Sequence, residues 1–148
     1  MKHYSYESLE LGMKESFQRT VTEEMMELFY RISGDNNPMH MEGGIAKSKG
    51  FSGRLVYGML TASFYSTLVG VYLPGEKCIL QELDTSFHKP VYIGDQLLIT
   101  GTVREKDELF RRVRISAVIR NQRGERVSKA AITVGFYEYY LSDPGGVF

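Results

Sequence analysis

The sequence predicts an α+β fold in which a curved antiparallel β-sheet wraps around a long central helix. Helical periodicity occupies the first half of the chain, and alternation of apolar and polar residues occupies the second half. Helices followed by meandering strands are typical of the α+β class. A helix rich in small residues lies between the two halves and would let neighbouring backbone come close. This composition favours a helix enclosed by a curved sheet.

Length and charge restrict the possible classes of protein. The chain has 148 residues without a linker-like segment or repeat, which predicts a single domain over residues 1–148. Lys and Arg total 18, as do Asp and Glu, so no global field draws the chain toward nucleic acid or an anionic membrane. Polar residues interrupt the most apolar stretch, residues 55–73, which predicts a buried helix and no membrane span. The N-terminus has no apolar signal core, and we expect a cytoplasmic protein.

The first helix is predicted over residues 21–33. Its apolar residues recur with helical spacing on one face: Val21, Met25, Leu28, Phe29 and Ile32. Thr20 with Glu23 fits a capping box at its start. Gly34 stands where a helix C-cap is expected.

Two further helices are predicted before the strands begin. Residues 35–38 form a polar turn, and a short helical segment is expected at about 41–47. The small-residue helix runs from Gly58 to about Tyr72, where Pro74 and Gly75 end it.

Four strands are predicted in the second half, over residues 77–88, 96–105, 110–120 and 126–139. A hairpin turn at 121–124 joins the last two, with Gly124 suited to a left-handed conformation. The aromatic residues 136–140 should complete the last strand, and residues 142–148 should be poorly ordered.

The segment Asp35-Asn36-Asn37-Pro38-Met39-His40 is the strongest candidate for chemistry. It places a carboxylate and an imidazole five positions apart across a bend that Pro38 enforces. Two such groups on either side of one water can remove one proton and deliver another. These residue types are also ordinary turn material, so the six residues alone leave a purely structural interpretation open.

Gly58 is the second candidate because it begins the small-residue helix. A helix N-terminus presents unpaired N–H groups and partial positive charge, and glycine lets a carbonyl oxygen approach closely. Such a site can act as an oxyanion hole. The alternative is that glycine serves only tight packing between the helix and the sheet.

Five segments match, in order, the pattern of a known family. They are residues 33–40 (SGDNNPMH), 51–60 (FSGRLVYGML), 73–75 (LPG), 87–95 (FHKPVYIGD) and 121–125 (NQRGE). Together they resemble the MaoC-like family, the (R)-specific enoyl-CoA hydratases and related acyl dehydratases of the hot-dog fold. The resemblance extends from Phe17 to Phe136.

The resemblance implies a mechanism and an assembly. Asp35 and His40 would activate water for syn addition to a trans-2-enoyl thioester, giving an (R)-3-hydroxyacyl product, and would catalyse dehydration in reverse. The Gly58 N–H would bind the thioester oxygen. Two units of this family pair through their sheets, so we expect a homodimer or a dimer of dimers. Coenzyme A or acyl carrier protein would arrive as part of the substrate, which also makes acyl carrier protein a candidate partner, and no separate cofactor is expected.

The resemblance also implies substrate contacts and shows two departures. The expected contacts are Asn37, Tyr57, Met59, Ser63, Ser66 and Val69. Tyr57 stands where the family usually has His, and Glu42 stands where it commonly has Asp. We expect Tyr57 to affect the site entrance or the substrate preference.

Other charged residues and other functions remain as alternatives. Arg112, Arg114 and Arg120 share one strand face, which indicates a solvated surface. The alternative is contact with coenzyme A phosphates, and the same alternative applies to Lys47, Lys49 and Arg54 near the mouth of the site. No spacing indicates a metal site. Because the hot-dog fold hosts several functions, an acyl-CoA thioesterase and a non-catalytic acyl-thioester binding protein compete with the hydratase interpretation.

Overall fold

Five strands form one antiparallel sheet in the computed structural model, which describes residues 1–140. The strands are β1 (Lys14–Thr20), β2 (Cys78–Phe87), β3 (Gln96–Asp107), β4 (Arg112–Arg120) and β5 (Arg126–Phe136). Their order across the sheet is β1-β3-β4-β5-β2, so β1 and β2 are the edges. The expectation for residues 142–148 lies outside the described residues.

Five helices accompany the sheet within residues 1–140. They are α1 (Glu23–Ser33), α2 (Pro38–Met41), α3 (Gly43–Ser48), α4 (Gly58–Thr67) and α5 (Tyr137–Tyr140). A π-helical turn, Leu68–Tyr72, continues α4 to the cis Leu73–Pro74 bond. None of the helices in these residues is long and apolar enough to cross a membrane.

The sheet curls around the π-helical turn that extends α4. This turn contacts both edge strands, β1 and β2, as well as β3. In a flat sheet those edges would lie about 19 Å apart, since neighbouring strands are about 4.8 Å apart. One helical turn can touch both edges only if the sheet bends around it. The predicted curved sheet around a central helix is therefore confirmed.

Close packing between helix and sheet depends on Gly101 in β3. A Cβ atom at this position would lie 2.8 Å from Leu68 Cδ2 and 3.2 Å from Ile115 Cγ2. Leu68 and Ile115 are both completely buried. A side chain at position 101 would therefore separate the helix from the sheet. A buried hydrogen bond of 2.9 Å from Tyr65 Oη to Ser128 Oγ also joins α4 to β5.

The predicted strands are confirmed with shifts at their ends, but two features are wrong. Strand β1 was not predicted, because its only buried residue is Phe17 and the segment therefore lacks an apolar alternation. It pairs with β3 from Lys14 opposite Thr102 to Thr20 opposite Gln96. The final strand ends at Phe136, and Tyr137–Tyr140 forms a helix where strand was expected. Gly124 has the predicted left-handed conformation, with a φ of 74°.

Helix α1 differs from its prediction in its start and in its buried face. Thr22 caps it by accepting from the Met25 N–H, at 3.2 Å, so the expected capping box at Thr20 is wrong. Gly34 is the predicted left-handed C-cap. Leu28 and Ile32 are 51% and 83% exposed, so the predicted apolar face is only partly buried in this chain.

Candidate active site

Hydrogen bonds within the segment after α1 hold its bend. The Ser33 hydroxyl accepts from the Asp35 N–H at 3.2 Å, and Asp35 Oδ1 accepts from the Asn37 N–H at 3.0 Å. Asn37 Oδ1 then accepts from the Met39 N–H at 2.9 Å and caps α2. Pro38 is the first residue of α2, a position where its missing N–H costs nothing. The expected single helix at 41–47 is therefore two short helices, and His40 lies in the first of them.

His40 is held by the backbone carbonyl of Leu55 and by the side chain of Arg54. Its Nδ1 lies 2.8 Å from the carbonyl oxygen of Leu55. A carbonyl can only accept, so Nδ1 carries the proton and Nε2 of the neutral ring is left with a free lone pair. Arg54 strengthens this junction, since its Nε donates to the His40 carbonyl at 2.7 Å and its guanidinium pairs with Glu23.

The structure brings together the two residues predicted to be catalytic. Asp35 Oδ2 lies 3.9 Å from His40 Nε2. This distance is too long for a direct hydrogen bond, and both atoms are acceptors when the carboxyl is ionised. A single water placed between them could donate one hydrogen to each. The Asp35 side chain is 47% exposed and that of His40 is 18% exposed, so the pair can be reached from solvent.

An apolar cavity of about 320 Å³ lies beside His40. Its lining comes from α2, the segment before α4, the start of α4, the end of β2 with the loop after it, and the start of β5. The lining residues are His40, Phe51, Leu55, Val56, Gly58, Thr61, Phe87, His88, Lys89, Pro90, Val91 and Val127. Asp35 does not line this cavity, although its carboxylate lies 3.9 Å from His40 Nε2. The cavity suits a small apolar group held next to the imidazole.

Gly58 lines the same cavity as His40 and is the first residue of α4. As the first helical residue, its N–H has no acceptor one turn earlier in the helix. The ring of Phe87 would lie 3.5 Å from a Cβ atom at this position, which is ordinary contact. Packing alone therefore does not demand glycine here, and the predicted role as an oxyanion donor remains a prediction.

The other predicted contact residues lie away from this cavity in a single chain. Asn37 caps α2, and Val69 is 1% exposed in the core. Met59, Ser63 and Ser66 are exposed along one face of α4. Tyr57 is buried, and its hydroxyl contacts the backbone of the segment from Asp35 to His40. Contact of these residues with substrate stays a prediction.

The sequence analysis did not identify several groups that hold the site in place. The Leu55 carbonyl can be identified as the partner of His40 only in three dimensions. Buried Asp95 accepts from the Tyr92 N–H at 2.9 Å and from Gln122 Nε2 at 2.7 Å, which fixes the loop that lines the cavity. Its place in the matched Gly94-Asp95 pair was the available hint.

The cations considered as contacts for coenzyme A phosphates fall into two groups, one paired with surface carboxylates and one lining a cavity. Arg112 and Arg114 pair with Asp107 and Glu105, at 3.5 and 3.6 Å, which agrees with a solvated surface. Lys47 and Arg54 line a second cavity of about 330 Å³ that shares no lining residue with the first. Contact of these cations with coenzyme A stays a prediction.

A helix enclosed by a curled antiparallel sheet is the hot-dog fold. Relatives that are 31–37% identical to this chain are named hydratases and dehydratases, so the chain is an enzyme of that class. The family model for the MaoC like domain matches residues 8–122. The chain belongs to the MaoC-like family.

Relatives and solved structures agree with this family. The chain is 37% identical over 101 residues to an (R)-specific enoyl-CoA hydratase of Rhodospirillum rubrum, covering 68% of this chain and 69% of the relative. It is 36% identical over 93 residues to an (R)-specific enoyl-CoA hydratase of Aeromonas caviae, covering 63% and 69%. The unliganded R-hydratase PhaJ1 of Pseudomonas aeruginosa superposes with a TM-score of 0.83 at 31% identity, covering 89% of this chain and 84% of that one.

Proposed function

We propose that this enzyme catalyses the reversible syn hydration of trans-2-enoyl thioesters to (R)-3-hydroxyacyl thioesters. The observation that carries the proposal is the 3.9 Å separation of Asp35 Oδ2 and His40 Nε2. The Leu55 carbonyl holds the imidazole as the tautomer whose Nε2 accepts. Relatives named (R)-specific enoyl-CoA hydratase and 3-hydroxybutyryl-CoA dehydratase support the same chemistry.

The proposed step uses one water and two side chains. The water oxygen forms a bond to C3 of the enoyl group while one of its protons passes to the Asp35/His40 pair. The π electrons of the double bond shift toward the thioester, and the pair returns a proton to C2. Because both new bonds arise from one small set of groups on one face of the substrate, the addition is syn. Atoms and charge balance without a further reactant.

The cavity and Gly58 supply the remaining parts of the proposed mechanism. The thioester oxygen gains negative charge as the water adds, and we propose that the Gly58 N–H stabilises it. Gly58 begins α4 and lines the cavity beside His40, which supports this role. The short acyl group would occupy the apolar cavity. We propose that the carrier, coenzyme A or acyl carrier protein, forms part of the substrate and that the reaction needs no separate cofactor.

The direct test is to incubate the purified protein with crotonyl-CoA and to follow the enoyl-thioester absorbance. We expect the absorbance to fall to an equilibrium value, with (R)-3-hydroxybutyryl-CoA as the product on chiral analysis. Free thiol should be measured in the same samples. Release of coenzyme A in proportion to substrate loss would show a thioesterase, and saturable binding without turnover would show a binding protein. Either result would contradict the proposal.

We also propose that two copies of the chain form a homodimer. Strand β2 is an edge with half-exposed residues, and Leu80 and Phe87 on it are 40% and 48% exposed. Met59, on the exposed face of α4, is 62% exposed. A second copy covering these surfaces would bury apolar area beside the site. Sedimentation equilibrium at assay concentrations should give twice the chain mass, and a fully active monomer would contradict the dimer.

A further inference from the structure

Tyr57 contacts both members of the Asp35/His40 pair from behind. It is 2% exposed. Its ring lies against the imidazole of His40, with 4.2 Å between ring centroids and 35° between ring planes. The Phe29 ring of α1 packs against it at 5.0 Å. Its hydroxyl donates to the backbone carbonyl of Asp35 at 2.9 Å. One side chain therefore joins two residues that lie on separate elements.

The hydroxyl has the protonation state that this contact requires. Burial raises the pKa of Tyr57 above its usual value, and the nearby Asp35 carboxylate raises it further. The phenol therefore keeps its proton at neutral pH and can donate it. Met41 Sδ is also near, at 3.5 Å, but a thioether sulfur is a weak acceptor compared with a carbonyl oxygen.

We propose that Tyr57 is a positioning residue that sets the separation and orientation of Asp35 and His40. The proposal rests on the function proposed above. The hydroxyl anchors the bend that carries Asp35, while the ring, supported by Phe29, closes one face of the imidazole. With that face closed and Nδ1 bound to Leu55, the ring of His40 has one orientation in which Nε2 faces Asp35.

Tyr57→Phe and Tyr57→Leu separate the two contacts. Phe keeps the ring and loses the hydroxyl, so we expect kcat to fall roughly 10-fold, the value of one hydrogen bond. Leu removes both contacts, and we expect a fall of roughly 10²-fold, as for a displacement of catalytic groups by about 1 Å. In both variants KM should change less than kcat, because the residue lies outside the cavity lining.

Tyr65→Phe is the matched control. Tyr65 is also a buried tyrosine, but it lies two turns further along, near the end of α4. The substitution removes a comparable hydrogen bond, from its hydroxyl to Ser128 Oγ at 2.9 Å. It contacts neither Asp35 nor His40 among the described contacts. We expect kcat of this variant to match the parent. Equal losses of kcat in Tyr57→Phe and Tyr65→Phe would show that general stability is responsible and would overturn the proposal.

A second measurement does not depend on turnover. Long-range ¹H–¹⁵N correlation spectra of the imidazole report which nitrogen carries the proton. We expect the Nδ1–H tautomer of His40 in the parent and in Tyr57→Phe, and a mixture of tautomers in Tyr57→Leu. A parent without hydratase activity would refute the proposed function, while these spectra would still test the positioning role. An unchanged tautomer together with unchanged kcat in Tyr57→Leu would overturn it, and Tyr57→Phe remains informative if the Leu variant does not fold.

Discussion

Asp35→Asn and His40→Gln should each lower kcat for crotonyl-CoA hydration by roughly 10²–10⁴-fold, the range for loss of one general acid or base. Asn keeps the oxygen that accepts from the Asn37 N–H, so the bend should survive. Its amide nitrogen replaces an acceptor next to His40 Nε2 and can no longer take a proton. Gln at position 40 similarly fills much of the space of the imidazole without its ability to exchange protons near neutral pH.

The double variant tests whether the two residues act as a unit. If they share one water, removing both should cost about as much as removing one, because the first substitution already destroys the pair. His3→Gln is a suitable control, since His3 lies at the N-terminus and pairs with Glu76. Steady-state kinetics with circular dichroism of each variant provide the measurement. Activity indifferent to both single substitutions would rule out the Asp/His mechanism.

Gly58→Pro should lower kcat by roughly 10²–10³-fold, the effect of removing one oxyanion donor. Proline has no N–H, yet the first turn of a helix accepts it. Tyr57 before it already has a φ of −56° and a ψ of 128°, the extended geometry that a residue preceding proline requires. The variant should therefore fold with a far-ultraviolet spectrum like that of the parent, and kcat for the enoyl thioester gives the test.

Gly58→Ala is the matched control because it keeps the N–H. Its Cβ would meet the Phe87 ring at 3.5 Å, an ordinary contact, so the helix and the sheet need not separate. We expect this variant to retain much more activity than Gly58→Pro. If the two variants lost activity equally, crowding of the cavity would explain the loss, and the oxyanion role of Gly58 would be wrong.

The elements with strong periodicity were predictable from the sequence. Strand β4 alternates Val113, Ile115, Ala117 and Ile119 with residues that are polar except for Val118, and those four residues are buried. Strand β1 escaped prediction because it lies at an edge and buries only Phe17. This segment forms a strand because it pairs with β3, whose residues lie about eighty positions further along the chain. A local sequence pattern cannot reveal such a long-range pairing.

In helix α1, the spacing of apolar residues predicted the buried side chains only in part. Its spacing predicts one apolar face, and Met25 and Phe29 on that face do pack against the core. Leu28 and Ile32 remain exposed in the single chain. Periodicity states which residues share a face, but how much of that face is covered depends on the neighbouring elements.

The residue types and spacing in the chain determined by themselves the α+β class, the central helix and the choice of Asp35 and His40 as the candidate pair. Only the tertiary structure decided that their reactive atoms lie 3.9 Å apart, that Leu55 sets the tautomer of His40 and that Tyr57 contacts both. The physical reason is that these contacts depend on the direction in which each group points. Hydrogen bonds and ring contacts depend on where a carbonyl or a ring points, and that is set by the packing of α2 against residues 54–57, which are distant from it along the chain.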